Sequence, residues 1–137
     1  MDIPFTGARP LRAHKTDAGY DLRTKHGARI PAGSRHLFST GVSLALPADT
    51  VALVCSRSGL AMHHGVVVLN APGIIDAGYR GDIGVLLVNH GHEAYTVAEG
   101  DKIAQLVILG LQPVRLVRQD ELPPADRGPN GFGSTGT

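Results

Sequence analysis

Short apolar runs, separated by glycine, proline and polar residues, extend along most of the chain. Val, Ile and Leu dominate these runs, which are RHLFSTGVSLAL, TVALVC, GVVVLN, DIGVLLVN and DKIAQLVILGL. Few of them are long enough for a helix, and many short strands with frequent turn signals are typical of a sandwich or barrel. The pattern therefore predicts an all-β fold.

One segment, SRSGLAMHHG, favours a short helix of at most about two turns. Ser56 or Ser58 would cap its start, and Gly65 would end it. After Leu116 the chain becomes rich in proline, glycine and polar residues, which bury little apolar surface. We therefore expect a single domain, with a β core over residues 1–121 and a mobile C-terminal arm over residues 122–137.

Composition excludes several classes of partner. The 137 residues are 42% apolar, which suits one domain with a real core, and the net charge of +1 gives no footprint for nucleic acid or an acidic membrane surface. No apolar stretch approaches the roughly 20 residues of a membrane span. The lone Cys55 and the polar start of the chain, which is unlike a signal peptide, favour a reducing compartment, and we expect a cytoplasmic protein.

The tetrapeptide DAGY occurs twice, at residues 17–20 and 76–79. The flanking sequences RAHKT and NAPGII differ and no fixed period continues, which argues against an internal duplication. Asp and Gly are both favoured in turns. Each copy is thus either a turn or part of a site.

The C-terminal sequence RGPNGFGSTGT is either a frayed end or a ligand-binding segment. Arg127, the hydroxyl groups and the unhindered backbone amides suit a phosphate. Phe132 suits stacking on a base, which is typically worth about 1–3 kcal/mol.

Two other segments have both a structural and a functional interpretation. Arg57, Ser58 and Gly59 lie at the expected helix start, which is either an ordinary cap or an anion site. Gln105 shares a strand face with Ile103 and Val107 if alternation is strict. Its amide then lies at an edge open to water or points at a ligand, because an unpaired buried amide costs about 1–3 kcal/mol.

Seven histidines do not form a metal-binding pattern. His63 and His64 are adjacent and cannot share one face, and no acid or cysteine lies at ligand spacing. The chain also has neither a P-loop nor a GxSxG sequence.

Five segments, in order from Ala18 to Gly136, closely resemble the five motifs of the trimeric dUTPases (deoxyuridine triphosphate nucleotidohydrolases). These are AGYDL, RSGLA, NAPGIIDAGYRGDI, GDKIAQLV and RGPNGFGSTG. The resemblance implies a jelly-roll-like β-sandwich or barrel that assembles as a homotrimer with shared active sites. Motifs one, two and four would come from one chain, motif three from a second, and the arm from a third.

The resemblance also implies an activity, the hydrolysis of dUTP to dUMP and pyrophosphate by water attack on the α-phosphate. Such a reaction limits uracil in DNA and supplies dUMP for thymidylate synthesis. Asp76 would activate the water, Asp21 would help to hold Mg²⁺ through its water shell, and Asp17 would be only a turn residue. Mg²⁺ usually keeps several waters, so few direct protein ligands are needed, and phosphoryl transfer depends on positioning and charge stabilisation.

The remaining roles are likewise implied by the resemblance. A hairpin from Asn70 to Tyr79 would recognise uracil, and Tyr79 would pack against the deoxyribose. Phe132 would cover the base. The other substrate contacts would come from Arg57, Ser58, Gly59, Asn70, Ile74, Ile75, Gln105, Arg127, Gly133, Ser134 and Thr135.

Three positions depart from the usual family pattern, namely Ser56, Gly84 and Asn130. None of them removes a catalytic part. The homologous dCTP deaminases are the nearest rival, but RSGLA and Asp76 fit them poorly. A trimeric nucleotide-sensing module that binds a partner protein is the alternative from another class, although the intact Asp76 and arm argue for retained hydrolysis.

Overall fold

The computed structural model describes residues 1–136, and Thr137, the last residue of the predicted arm, lies outside the described part. β-strands and one short helix make up its regular structure, which confirms the all-β prediction. The strands are β1 (Phe5–Thr6), β2 (Tyr20–Arg23), β3 (Ala28–Ile30), β4 (Arg35–Ser39), β5 (Ser43–Leu44), β6 (Thr50–Cys55), β7 (Val66–Val68), β8 (Gly73–Ile75), β9 (Gly84–Asn89), β10 (Tyr95–Val97) and β11 (Lys102–Gly110); the helix is α1 (Ser58–His64).

Two antiparallel sheets form the body of a jelly-roll-like sandwich. One has the strand order β2-β11-β6-β8 and the other β4-β9-β7, and two short pairs, β1-β5 and β10-β3, complete the fold. In β6, Ala52 and Val54 are buried while Val51 and Leu53 are only half-buried, so alternate residues face the core. Large apolar side chains from both sheets, including Leu106 and Phe38, fill that core.

Five short strands, β1, β2, β3, β8 and β10, were not predicted from the apolar pattern. β2 buries only Leu22, β3 only Ile30 and β10 only Val97. A single buried residue gives no periodicity, so such strands are defined by pairing with their neighbours and not by their own sequences.

Helix α1 has the predicted place and length but not the predicted serine cap. Arg57 occupies the N-cap position without a side-chain hydrogen bond, and Ser58 is already helical. The Ser56 hydroxyl instead accepts a hydrogen bond from the Val68 N–H at 2.9 Å, a contact that ties the start of the helix to β7. Gly65 ends the helix in the left-handed region at φ 67°, as predicted.

Regular structure ends with β11 at Gly110, and residues 111–136 are exposed turns and irregular backbone. The mobility predicted for the arm stays a prediction. No helix in the part of the chain that the structure describes is long and apolar enough to cross a membrane.

Candidate active site

The central strand β11 brings three of the five sequence motifs together. Gln105 lies between Asp21 of β2 and Cys55 of β6 in the strand register. Arg57 lies two residues after the end of β6, at the N-cap position of α1. The segments AGYDL, RSGLA and GDKIAQLV therefore meet at one end of the four-stranded sheet.

The carboxylate of Asp21 is held by two cations. Lys102 Nζ lies 2.6 Å from Asp21 Oδ2, and Arg57 Nε lies 3.7 Å from Oδ1. Arg57 Nη1 also donates a hydrogen bond to the Lys102 carbonyl at 3.0 Å. Two positive charges against one negative charge leave this cluster cationic, which suits an anionic ligand. Lys102 was missed by the sequence reasoning, although its place between Asp101 and Gln105 in GDKIAQ was the available signal.

The side chain of Gln105 is held between two backbone segments. Its Nε2 donates a hydrogen bond to the Ser56 carbonyl at 3.0 Å. A β-carbon placed on Gly19 would lie 2.5 Å from Gln105 Oε1, so a side chain there would displace the amide. The amide thus links the AGYDL and RSGLA segments.

The edge interpretation of Gln105 is wrong, and of its two predicted neighbours on the strand face Val107 is confirmed but Ile103 is not. Strand β11 is an interior strand, so this position is not at a sheet edge. The register shifts between Lys102 and Ala104, and Ile103 and Ala104 are both buried. This β-bulge moves Gln105 to the face opposite Ile103, because two successive residues at the bulge point inward.

The helix start is open to solvent. Ser58 and Gly59 are exposed in the first turn of α1, and a β-carbon on Gly59 would meet no atom within 4 Å. Backbone N–H groups in the first turn of a helix have no acceptor within the helix.

The hairpin predicted for residues 70–79 is wrong. Only one strand, β8, lies within this segment, and it pairs with β6, whereas the preceding strand β7 pairs with β9. The segment therefore crosses from one sheet to the other. Asn70 and Ile74 are exposed, and Ile75 is half-buried.

The first DAGY copy follows a turn and the second forms one, and their aspartates differ. The Asp17 carboxylate accepts a hydrogen bond from the His14 N–H at 2.9 Å and so closes the turn before the motif, as predicted. Asp76 begins the next turn through its carbonyl, which accepts from the Tyr79 N–H at 3.0 Å. Its carboxylate is exposed and forms no hydrogen bond or ion pair within residues 1–136.

Asp76 lies far from Gln105 in the same chain. Asp76 follows Ile75, which pairs with Ala52, whereas Gln105 pairs with Cys55 at the other end of β6. From Val51, which is level with Asp76, to Cys55 is about 13 Å along the strand, and Gln105 is two strands away from Asp76, or about 10 Å. The two backbone positions are therefore about 16 Å apart.

The predicted site residues of the arm make no hydrogen bonds to the core. Arg127 Nε donates to the Asn130 carbonyl at 3.0 Å, and the Ser134 N–H donates to the Gly131 carbonyl at 3.1 Å. Phe132 is fully exposed, and Gly133 and Thr135 are exposed beside it. The structure does not bring the arm to the cluster around Asp21.

Fold and site together define a jelly-roll-like β protein with a cationic site at one end of its central strand. The family model described as dUTPase matches residues 6–136. The chain therefore belongs to the dUTPase family.

Relatives and solved structures agree with this assignment. The chain is 46% identical to a deoxyuridine 5'-triphosphate nucleotidohydrolase from Leifsonia xyli subsp. xyli, over 99% of this chain and 91% of that protein. It is 48% identical to the protein of the same name from Clostridium novyi, over 93% and 89%. A dUTPase mutant of Staphylococcus bacteriophage 80alpha with bound dUpNHpp superposes with a TM-score of 0.91, at 27% identity and 99% coverage of both chains. A mutant dUTPase from phage phi11 of S. aureus, described with a structural Mg(II) ion, superposes with a TM-score of 0.81, at 28% identity and coverage of 88% and 98%.

Proposed function

We propose that this protein hydrolyses dUTP to dUMP and pyrophosphate, and that it thereby limits uracil in DNA and supplies dUMP for thymidylate synthesis. The family match over residues 6–136 carries this proposal. Relatives that share about half of the residues are named for the same reaction. The lone Cys55 and the reaction itself fit a protein of the cytoplasm.

The triphosphate binds at the cationic end of the central strand. Arg57 contributes charge, Gln105 contributes an amide on the same face as Asp21, and the exposed first turn of α1 with Ser58 and Gly59 contributes backbone donors. These donors neutralise charge that increases on the leaving pyrophosphate as the phosphoanhydride bond breaks.

Asp76 serves as the general base. Its exposed carboxylate has no hydrogen-bond or ion-pair partner in the described chain, so it is free to accept a proton. The water oxygen bonds to the α-phosphorus, its proton passes to Asp76, and the bond between the α-phosphorus and the bridging oxygen breaks. dUMP and pyrophosphate are the products.

Mg²⁺ fits this site only as an ion that is shared with the substrate. Within residues 1–136, no group of three or more His, Cys, Asp or Glu side chains could hold a metal ion. Asp21 alone offers a carboxylate beside the phosphate donors, and an ion that keeps several waters needs no more than that. When bound, Mg²⁺ would neutralise phosphate charge. The structural Mg(II) ion described for the phage phi11 protein supports metal use in the family.

Asn70, Ile74, Ile75 and Tyr79 bind the nucleoside. The exposed Asn70 precedes β8, and the exposed Ile74 and half-buried Ile75 end this strand next to the open turn that carries Asp76. Tyr79 is 45% exposed at the end of that turn and packs against the deoxyribose. Phe132 of the arm covers the base, and Arg127, Gly133, Ser134 and Thr135 close over the phosphates.

The active sites are shared between the subunits of a homotrimer. A base that acts through one water lies within about 6 Å of the phosphorus atom. In one chain the backbone positions of Asp76 and Gln105 are about 16 Å apart, towards opposite ends of β6, which favours a site in which a second chain supplies Asp76. The exposed arm likewise fits a site outside its own core.

Pyrophosphate release from dUTP, dCTP, dTTP and UTP tests the proposed function. We expect rapid release from dUTP and little from the other three nucleotides. Ammonia release from dCTP would identify a deaminase instead. Nucleotide binding without turnover of any of the four would favour a sensing module and contradict the proposal.

A further inference from the structure

The ring of Tyr79 turns back over its own loop and lies against the backbone of Gly81. A β-carbon placed on Gly81 would lie 2.6 Å from Cζ and 3.0 Å from Cε2 of Tyr79, and closer still to the hydroxyl oxygen. Carbon atoms in favourable contact are about 3.5–4.0 Å apart. Any side chain at position 81 would therefore displace this ring.

Hydrogen bonds hold the ring and its loop in this arrangement. The Tyr79 hydroxyl donates to the Asp82 carbonyl at 2.9 Å. Arg80 Nη1 donates to the carbonyls of Ala77 at 2.6 Å and Tyr79 at 2.9 Å. The hydroxyl hydrogen is thus used within the loop, and the ring presents mainly its apolar surface.

The backbone conformation does not explain the glycine. Gly81 is not among the glycines with positive φ, so its backbone is open to any L-residue. The contact with the Tyr79 ring is the feature of this position that a side chain would disturb.

We infer that Gly81 is a positioning residue for sugar selectivity, which it controls by fixing the plane of the Tyr79 ring. This inference rests on the proposed contact between Tyr79 and the deoxyribose. A ribose 2′-hydroxyl placed against the ring finds no partner, which typically disfavours the ribonucleotide by about 5- to 150-fold. A displaced ring opens space for that hydroxyl and for water, so the discrimination is lost.

The test compares Gly81→Ala with Gly78→Ala in the same turn. A β-carbon on Gly78 would meet no atom within 4 Å, and Gly78 also lacks a positive φ. The kcat/KM for UTP divided by that for dUTP is measured for both variants and for Tyr79→Ala. Because both substrates contain uracil, any effect on base binding cancels in this ratio.

We expect Gly81→Ala to raise the UTP/dUTP ratio by about 5-fold or more, towards that of Tyr79→Ala, while Gly78→Ala keeps the original ratio. The double variant Gly81→Ala/Tyr79→Ala should have the ratio and the melting temperature of Tyr79→Ala alone, because no ring is left to displace. If Gly81→Ala alone fails to fold, folding of the double variant supports the contact, and failure of both overturns it.

The possible outcomes distinguish failure of this inference from failure of the proposed function. Absence of dUTP hydrolysis by the unchanged protein would contradict the proposed function. An unchanged ratio in Tyr79→Ala would remove Tyr79 from sugar selection and Gly81 with it. A raised ratio in Tyr79→Ala, together with an unchanged ratio in Gly81→Ala, would overturn the role of Gly81 alone.

Discussion

Mixing two inactive variants should restore activity if the catalytic parts belong to different chains. Asp76→Asn removes the proposed general base, and such a base typically contributes about 10²–10⁴-fold. Arg57→Gln removes a charge from the phosphate site, and loss of one such donor typically lowers turnover by about 10²–10³-fold. Arg57 follows the end of β6 and Asp76 follows the end of β8. Because these paired strands are antiparallel, the two residues lie at opposite ends of the pair, and neither change disturbs the surroundings of the other.

The expected recovery follows from the arrangement of the sites. In an equal mixture, a site is complete only when the chain that supplies Arg57 carries Asp76→Asn and the chain that supplies Asp76 carries Arg57→Gln. Each condition holds for half of the chains, so about one quarter of the sites in randomly assembled trimers are complete. If both groups came from the same chain, no site would be complete.

The assay is pyrophosphate release from dUTP after the variants have been co-expressed or have exchanged subunits. Two differently tagged chains recovered together show that exchange has occurred, and each variant alone sets the background. Activity near one quarter of the unchanged protein, far above both backgrounds, is the expected result. Background activity after proven exchange, or a monomer in light scattering, would refute the separation of Asp76 and Arg57 between chains.

Three further changes have distinct expected results. Deletion of residues 128–137 should leave the melting temperature almost unchanged, because the described residues of the arm, up to 136, make no hydrogen bond to the core. Turnover should fall steeply, since a closing lid excludes water, and Phe132→Ala should mainly raise the KM. A folded deletion variant with full turnover would contradict this. Asp21→Asn should raise the Mg²⁺ concentration for half-maximal turnover by about 10–100-fold, and an unchanged Mg²⁺ titration would argue against its metal role. Burial, and then Asp101, raises the pKa of the Tyr95 phenol, and Arg57 opposes this shift. The raised pKa favours the folded state below the unfolded pKa of about 10. This contribution to stability is lost as pH rises through the folded pKa. In denaturation experiments above pH ~10, Tyr95→Phe should therefore lose less unfolding free energy with rising pH than the unchanged protein, and equal slopes would contradict this.

The sequence predicted the long strands and the residue types of the site better than their arrangement. The apolar runs of β6 and β11 have enough buried positions to produce a pattern, whereas β2 buries one residue and produces none. The bulge at Ile103 has no sequence signal, because an inserted residue looks like any other apolar position. As a result, Ile103 was wrongly placed on the face of Gln105, whereas Val107 does share that face.

The order of the motifs also gave no information about distance within one chain. The segments with Asp21, Arg57 and Gln105 come together because β2 and β6 flank β11. Asp76 is separated from them because β8 runs antiparallel to β6 and ends level with Ala52, near the start of β6. Strand direction and register therefore decide which motifs can act together, and both depend on tertiary pairing.

The face of the four-stranded sheet that carries Asp21 and Gln105 links the proposed assembly to the proposed catalysis. Its polar end has Asp21 and Gln105, and the next positions along the strands are the apolar Leu53, Val107 and Ile74, which lie side by side in the register. Leu53 and Val107 are half-buried in the single chain, and Ile74 is 58% exposed. Another chain packed on these apolar side chains would shield them from water and would bring its own Asp76 turn near the polar end. Dissociation of the trimer would then expose apolar surface and separate the base from the phosphate donors in one event, so activity and subunit association should be lost at the same protein concentration on dilution.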